Sequence, residues 1–104
     1  MIIIGKGSNV KKSLKITVHG KVQGVGYREF VKQCATDLAI EGTAQNIETG
    51  AVLIYASGPS DTLENLIDSL YLGTPASKIK EILYESFSSD KDFHGVFRVI
   101  GELE

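Results

Sequence analysis

Residues 14–38, which read LKITVHGKVQGVGYREFVKQCATDL, contain three structural signals in succession. Apolar and polar residues alternate over residues 14–19, which is the pattern of a β-strand with one buried face. Residues 20–26 hold three of the eleven glycines and break this alternation, so a loop is predicted there. Apolar residues then recur at helical spacing over residues 27–38, which predicts an amphipathic helix.

A hairpin, a second helix and two more strands follow this unit. The strands are predicted at residues 42–47, 51–57, 79–87 and 97–100. The first two flank Gly50 and are expected to pair as a hairpin. The second helix is predicted to start at a cap formed by Asp61, with Glu64 three residues later, or by Ser60, and to end before Gly73. Its apolar stripe consists of Leu63, Leu66, Ile67, Leu70 and Tyr71.

This order of elements predicts an α+β sandwich of the ferredoxin-like type, βαββαβ with a fifth strand at the end. Two helices would cover one face of a largely antiparallel sheet of four to five strands. The length of 104 residues suits one domain. We expect residues 1–12 to form a flexible N-terminal extension and residues 13–104 to form the single domain.

Composition and charge narrow the class of protein. One cysteine, no export signal and no apolar run of membrane-spanning length indicate a soluble cytoplasmic protein without a membrane partner. Residues 1–32 carry seven basic side chains and one acidic one, a net charge of +6, whereas residues 33–104 carry a net charge of −8. A net charge of −2 overall argues against nucleic acid as the main partner, so a small anion is the better candidate.

The loop at residues 20–26 has the composition of an anion site. Glycines allow consecutive backbone amides to point inward, and the following helix N-terminus adds unpaired amides. Arg28 can add two parallel donors to phosphate oxygens. The spacing excludes a Walker loop, because Val25 stands where its second glycine would be, and Glu29 breaks the dinucleotide-binding fingerprint.

The other reactive side chains are not arranged for catalysis in the sequence. Cys34 lies on the apolar side of the first predicted helix and is expected in the core. Two histidines, His19 and His94, are too few and too isolated for a metal site, and we expect both at the surface. No metal and no cofactor are therefore expected.

The string from Val18 to Arg28, VHGKVQGVGYR, resembles the signature loop of the acylphosphatases, small enzymes that hydrolyse carboxyl phosphates. The similarity extends over residues 14–100 and includes Ala35, Leu38, Gly42, Asn46, Gly50 and Gly58. It departs from the usual pattern at three positions, where members often carry glycine, an aromatic residue and arginine. These positions are Ala39, Thr43 and Gln45.

The resemblance implies a site and a reaction. The phosphate would be held by Arg28 and by backbone amides of Val22, Gln23, Gly24, Val25, Gly26 and Tyr27. Asn46 would hold the attacking water, and a strand residue near the hairpin turn, on a strand neighbouring the first, can reach the rim of the loop. The implied reaction is hydrolysis of an acyl phosphate by that water, without metal or covalent intermediate. Inorganic phosphate would be both product and competitive inhibitor, and the enzyme would be a monomer.

Three other readings of the same fold remain. A non-catalytic anion sensor would have no need of a water-holding amide such as Asn46. An RNA-binding sheet needs stacking aromatics on its central strands, and residues 14–19 have none. A fragment of a larger maturation enzyme is disfavoured, because the chain ends soon after the last predicted strand.

Overall fold

The computed structural model of the chain describes residues 10–88 and 92–101. Five strands and two helices follow one another as β1 (Lys11–Lys21), α1 (Tyr27–Asp37), β2 (Glu41–Asn46), β3 (Val52–Pro59), α2 (Ser60–Leu72), β4 (Lys78–Ser86) and β5 (Phe97–Ile100). The order predicted from the sequence is confirmed. The predicted N-terminal extension falls on residues 1–9, which lie outside the described residues, and on residues 10–12. Of these, Lys11 and Lys12 belong to β1, so this strand starts two residues before the predicted domain.

The sheet has the strand order β4-β1-β3-β2-β5. β2 and β5 pair in parallel, whereas the other neighbouring strands are antiparallel. Strand residues with side chains on one face alternate with those on the other, so Ile16, Val18, Val52 and Ile54 all point into the core. There they meet the apolar sides of α1 and α2, which is the predicted ferredoxin-like fold.

The start of α2 differs from the prediction. Pro59 occupies the cap position, and both Ser60 and Asp61 lie inside the first turn of the helix. The Ser60 amide donates to the Val10 carbonyl at 3.2 Å, so the chain before β1 satisfies one of the unpaired helix-start amides. Tertiary pairing replaces the local capping box that the sequence suggested.

α1 ends in a Schellman turn with an unusual residue at its left-handed position. The Ile40 amide donates to the Ala35 carbonyl and the Ala39 amide to the Thr36 carbonyl, at 2.8 and 3.1 Å. Ala39 has a φ of 58°, a conformation that glycine adopts without strain and alanine does not. Its position is one of the three departures from the acylphosphatase pattern.

Ala39→Gly is expected to stabilise the fold. Removing the Cβ relieves roughly 1 to 2 kcal/mol of left-handed strain. The greater conformational freedom of glycine in the unfolded state offsets about 0.5 to 1 kcal/mol of this stabilisation. The net gain of about 0.5 to 1 kcal/mol should raise the melting temperature by several degrees, as calorimetry would measure. Ala76→Gly is the control, because Ala76 is also exposed but does not have a positive φ. A melting temperature that falls equally in both variants would contradict the assignment of strain to Ala39.

None of the helices in the described part of the chain is long and apolar enough to cross a membrane.

Candidate active site

The loop between β1 and α1 is open toward solvent. Gly24 and Gly26 have φ values of 73° and 77°, so both adopt the left-handed conformation that glycine tolerates best. A Cβ built on either residue would meet no atom within 4 Å, which leaves free space beside the backbone at both positions. Gly26 is also the N-cap of α1, and no side chain caps this helix. The helix start therefore leaves amides available to an anion.

The Gln23 side chain attaches the loop to the β2–β3 hairpin. Its Nε2 donates to the carbonyls of Ile47 and Ala51, at 2.9 Å each. These two carbonyls flank the hairpin turn, where the Ile47 amide also donates to the Ala51 carbonyl at 3.0 Å. Only the Gln23 backbone amide was predicted from the sequence to belong to the site, and this role of the side chain was not predicted.

Two further hydrogen bonds attach the loop and the start of α1 to α2 and the segment that follows it. The Thr74 hydroxyl donates to the Val25 carbonyl at 3.1 Å, and the Tyr27 hydroxyl donates to the Leu70 carbonyl at 2.8 Å. Burial raises the pKa of the Tyr27 phenol above its ordinary value, which keeps it a neutral donor. The side chain of Val22 is buried in the core. The loop is thus held from the core, the hairpin and α2, an arrangement that limits its reorganisation when a ligand binds.

Arg28 lies in the first turn of α1 and extends toward the end of β5. Its Nη1 donates to the Ile100 carbonyl at 3.3 Å. Ile100 pairs with Gln45, the residue before Asn46 in β2. The guanidinium therefore contacts the β5 residue that pairs with the neighbour of Asn46 in β2.

Asn46 lies at the end of β2, and its position corrects one expectation. β3 separates β2 from β1, so Asn46 is not on a strand next to β1. It pairs with Val52, which pairs in turn with Val18, so the three residues form one row across the sheet with their side chains on the helix-covered face. The contacts of Arg28 and Gln23 lie on either side of Asn46. Arg28 contacts Ile100, which pairs with Gln45, and Gln23 contacts Ile47.

The Oδ1 atom of Asn46 is buried and lacks a hydrogen-bond partner within residues 10–88 and 92–101. Burying an amide oxygen without a donor costs about 1 to 3 kcal/mol, so such atoms in folded proteins are usually satisfied by water or a ligand. Within the described residues, Asn46 Oδ1 is therefore a buried acceptor that still requires a donor.

A shallow cavity of about 110 Å³ lies beside the loop and the start of α1. Its lining residues are Val22, Gly24, Gly26, Tyr27, Arg28, Glu29 and Val99. Five of the seven residues predicted to bind phosphate are among them, whereas Gln23 and Val25 are not. Asn46, which was predicted to hold the water, is not in the lining either. Larger cavities lie elsewhere, including one of about 450 Å³ between α1 and β5. The small cavity is the candidate active site, because Arg28 and four of the predicted loop residues line it.

The remaining reactive residues lie apart from this cavity. Cys34 is half-buried and packs against the core, as predicted, and burial raises the pKa of its thiol. His94 is exposed, also as predicted, with its Nδ1 atom 3.4 Å from Asp92 Oδ2, whereas His19 is half-buried in β1. No group of three histidine, cysteine or carboxylate side chains in the described ranges is placed to hold a metal ion.

Comparison with known proteins identifies the family of the chain and agrees with its fold. The family described as Acylphosphatase matches residues 14–99. An acylphosphatase of Caldivirga maquilingensis is 37% identical over 90 residues, which cover 86% of this chain and 93% of the relative. One of Thermotoga maritima is 36% identical over 74 residues, which cover 71% and 82%. The crystal structure of acylphosphatase from Bacillus subtilis matches with a TM-score of 0.82 at 32% identity, covering 88% of this chain and all of that one. The chain therefore belongs to the acylphosphatase family of hydrolases.

Proposed function

We propose that the chain hydrolyses acyl phosphates by direct attack of a water molecule on phosphorus, without a covalent intermediate. The observation that carries this proposal is the buried Asn46 Oδ1, an acceptor without a partner in the described part of the chain. It lies at the sheet end to which Gln23 attaches the glycine-rich loop. A water acceptor and an anion-binding loop at the same end of the sheet support hydrolysis of a phosphate.

The loop and Arg28 hold the phosphoryl group in this mechanism. Amides of residues 22–27 donate to its oxygens, and the guanidinium adds donors of opposite charge. Charge spreads over the equatorial oxygens in the transition state of phosphoryl transfer, so fixed donors stabilise it more than the ground state. The Val25 carbonyl is already bonded to the Thr74 hydroxyl, which keeps this acceptor occupied next to the proposed anion site.

Asn46 holds the nucleophile. Its Oδ1 accepts a hydrogen bond from water and so orients the water lone pair toward phosphorus. Because the amide is uncharged, it does not repel the phosphate. The new O–P bond forms as the bond between phosphorus and the acyl oxygen breaks. The water proton passes to a phosphate oxygen, and the products are a carboxylate and inorganic phosphate.

A carboxylate leaves readily, so the reaction needs no general acid. The mechanism also uses no metal or cofactor. Inorganic phosphate is a tetrahedral anion, like the phosphoryl group that the loop would recognise, so it would compete with the substrate. We further propose that the enzyme acts as a monomer and, given its lone Cys34 thiol, in the reducing cytoplasm.

Hydrolysis of benzoyl phosphate in water enriched in heavy oxygen tests the reaction. Attack at phosphorus is expected to place the label in inorganic phosphate and none in benzoate. Use of a substrate chiral at phosphorus should give inversion, because one direct displacement inverts the centre and a covalent intermediate would retain its configuration. Label in benzoate, or retention at phosphorus, would overturn the mechanism. Phosphate binding without any turnover would instead favour an anion sensor.

A further inference from the structure

Gln23 connects the two parts of the proposed site. The phosphate-binding amides and Arg28 belong to the loop and the start of α1, whereas Asn46 belongs to β2 and lies next to the hairpin turn. Two hydrogen bonds from Gln23 Nε2 link this loop to the hairpin, at 2.9 Å each. One amide nitrogen uses both of its hydrogens for this purpose.

The acceptors of Gln23 lie on both sides of the hairpin turn. Ile47 directly follows Asn46, and Ala51 directly precedes Val52, the residue that pairs with Asn46. Both ends of the turn are therefore fixed relative to the loop. Gln23 is half-buried, so solvent competes with these bonds less than at an exposed site.

We propose that Gln23 is a positioning residue, whose side chain fixes the distance between the phosphate-binding amides and the water held by Asn46. The inference rests on the proposed function, because it requires that water. Binding of phosphate uses only the loop and Arg28, whereas attack requires both parts at once. Loss of the Gln23 bonds should therefore impair turnover and spare binding, since small errors of placement reduce rates by about 10²-fold.

Gln23→Met tests this role, because methionine has a similar length and no donor. We expect turnover of benzoyl phosphate to fall by about 10- to 100-fold, while the dissociation constant of inorganic phosphate stays within about threefold. Gln23→Asn retains the amide but is one methylene shorter, so it should lose at least one of the two bonds and show the same pattern. Gln33→Met is the matched control, because the Gln33 side chain lies on the exposed side of α1, where its Nε2 donates to Asp37 Oδ1 at 2.9 Å. It should leave turnover unchanged.

A double-mutant cycle with Asn46→Ala separates positioning from simple stabilisation. If Gln23 acts through Asn46, Gln23→Met should cost less than about threefold in the Asn46→Ala background. Equal losses in both backgrounds would overturn the inference and leave the role of Asn46 intact. Unchanged turnover in folded Gln23→Met, or a phosphate affinity that falls as far as turnover does, would also overturn it. If Asn46→Ala alone has no effect, the proposed role of Asn46 fails, and the inference fails with it.

Discussion

Arg28→Ala is expected to lower turnover of benzoyl phosphate by on the order of 10³-fold or more and to weaken phosphate binding as well. The guanidinium supplies the charged donors at the cavity beside the loop, and its Nη1 is anchored to the Ile100 carbonyl at 3.3 Å. Truncation removes charge that stabilises both bound phosphate and transition state. Steady-state kinetics together with phosphate titration would measure both losses.

Arg28→Lys should be nearly as damaging as Arg28→Ala. An ammonium is a point charge and cannot supply two parallel hydrogen bonds to a pair of phosphate oxygens. Arg98→Lys is the matched control, because Arg98 is exposed on β5 and has no place in the proposed mechanism. It should leave turnover within about twofold. Full activity in Arg28→Lys would contradict the bidentate role.

Asn46→Ala is expected to reduce turnover by roughly 10² to 10³, the loss that follows removal of one preorganised polar group. The physical reason is that water loses the acceptor that orients it. Because the substitution also removes a residue beside a hairpin turn, the variant is first shown to be folded by its melting curve, with a loss of stability of about 1 kcal/mol. Asn65→Ala, at an exposed asparagine of α2, is the control and should retain the wild-type rate. A wild-type rate in Asn46→Ala would show that the water has another anchor.

The architecture was predictable because its signals are local. Alternation over residues 14–19 predicted a strand with one buried face, and helical spacing over residues 27–38 predicted α1, whose observed range is Tyr27–Asp37. β5 has the predicted bounds, Phe97–Ile100. In each case one face of a single element is apolar, so burial selects the structure without help from distant residues.

The features that the sequence did not predict are those that depend on contacts distant along the chain. The Gln23 side chain donates to carbonyls more than twenty residues away. Because every residue has a backbone carbonyl, the sequence does not indicate which one accepts a hydrogen bond. Thr74 was missed for the same reason, because its acceptor is the Val25 carbonyl. The prediction for the start of α2 was wrong, because the distant Val10 carbonyl accepts a hydrogen bond from the Ser60 amide. The position of β3 between β1 and β2 likewise depends on the topology of the sheet. The separation of Asn46 from Gly50 in the sequence therefore could not place Asn46 relative to β1.

The proposed mechanism assigns phosphate binding to the loop and binding of the attacking water to Asn46, and a phosphate titration of Asn46→Ala separates these two roles. Amide resonances of residues 22–27 would be followed by NMR as phosphate is added. We expect these amides to shift with a dissociation constant within a few-fold of the wild-type value, although turnover is reduced by roughly 10² to 10³. A dissociation constant that rises by the same factor as turnover falls, or loop amides that do not respond to phosphate, would contradict it.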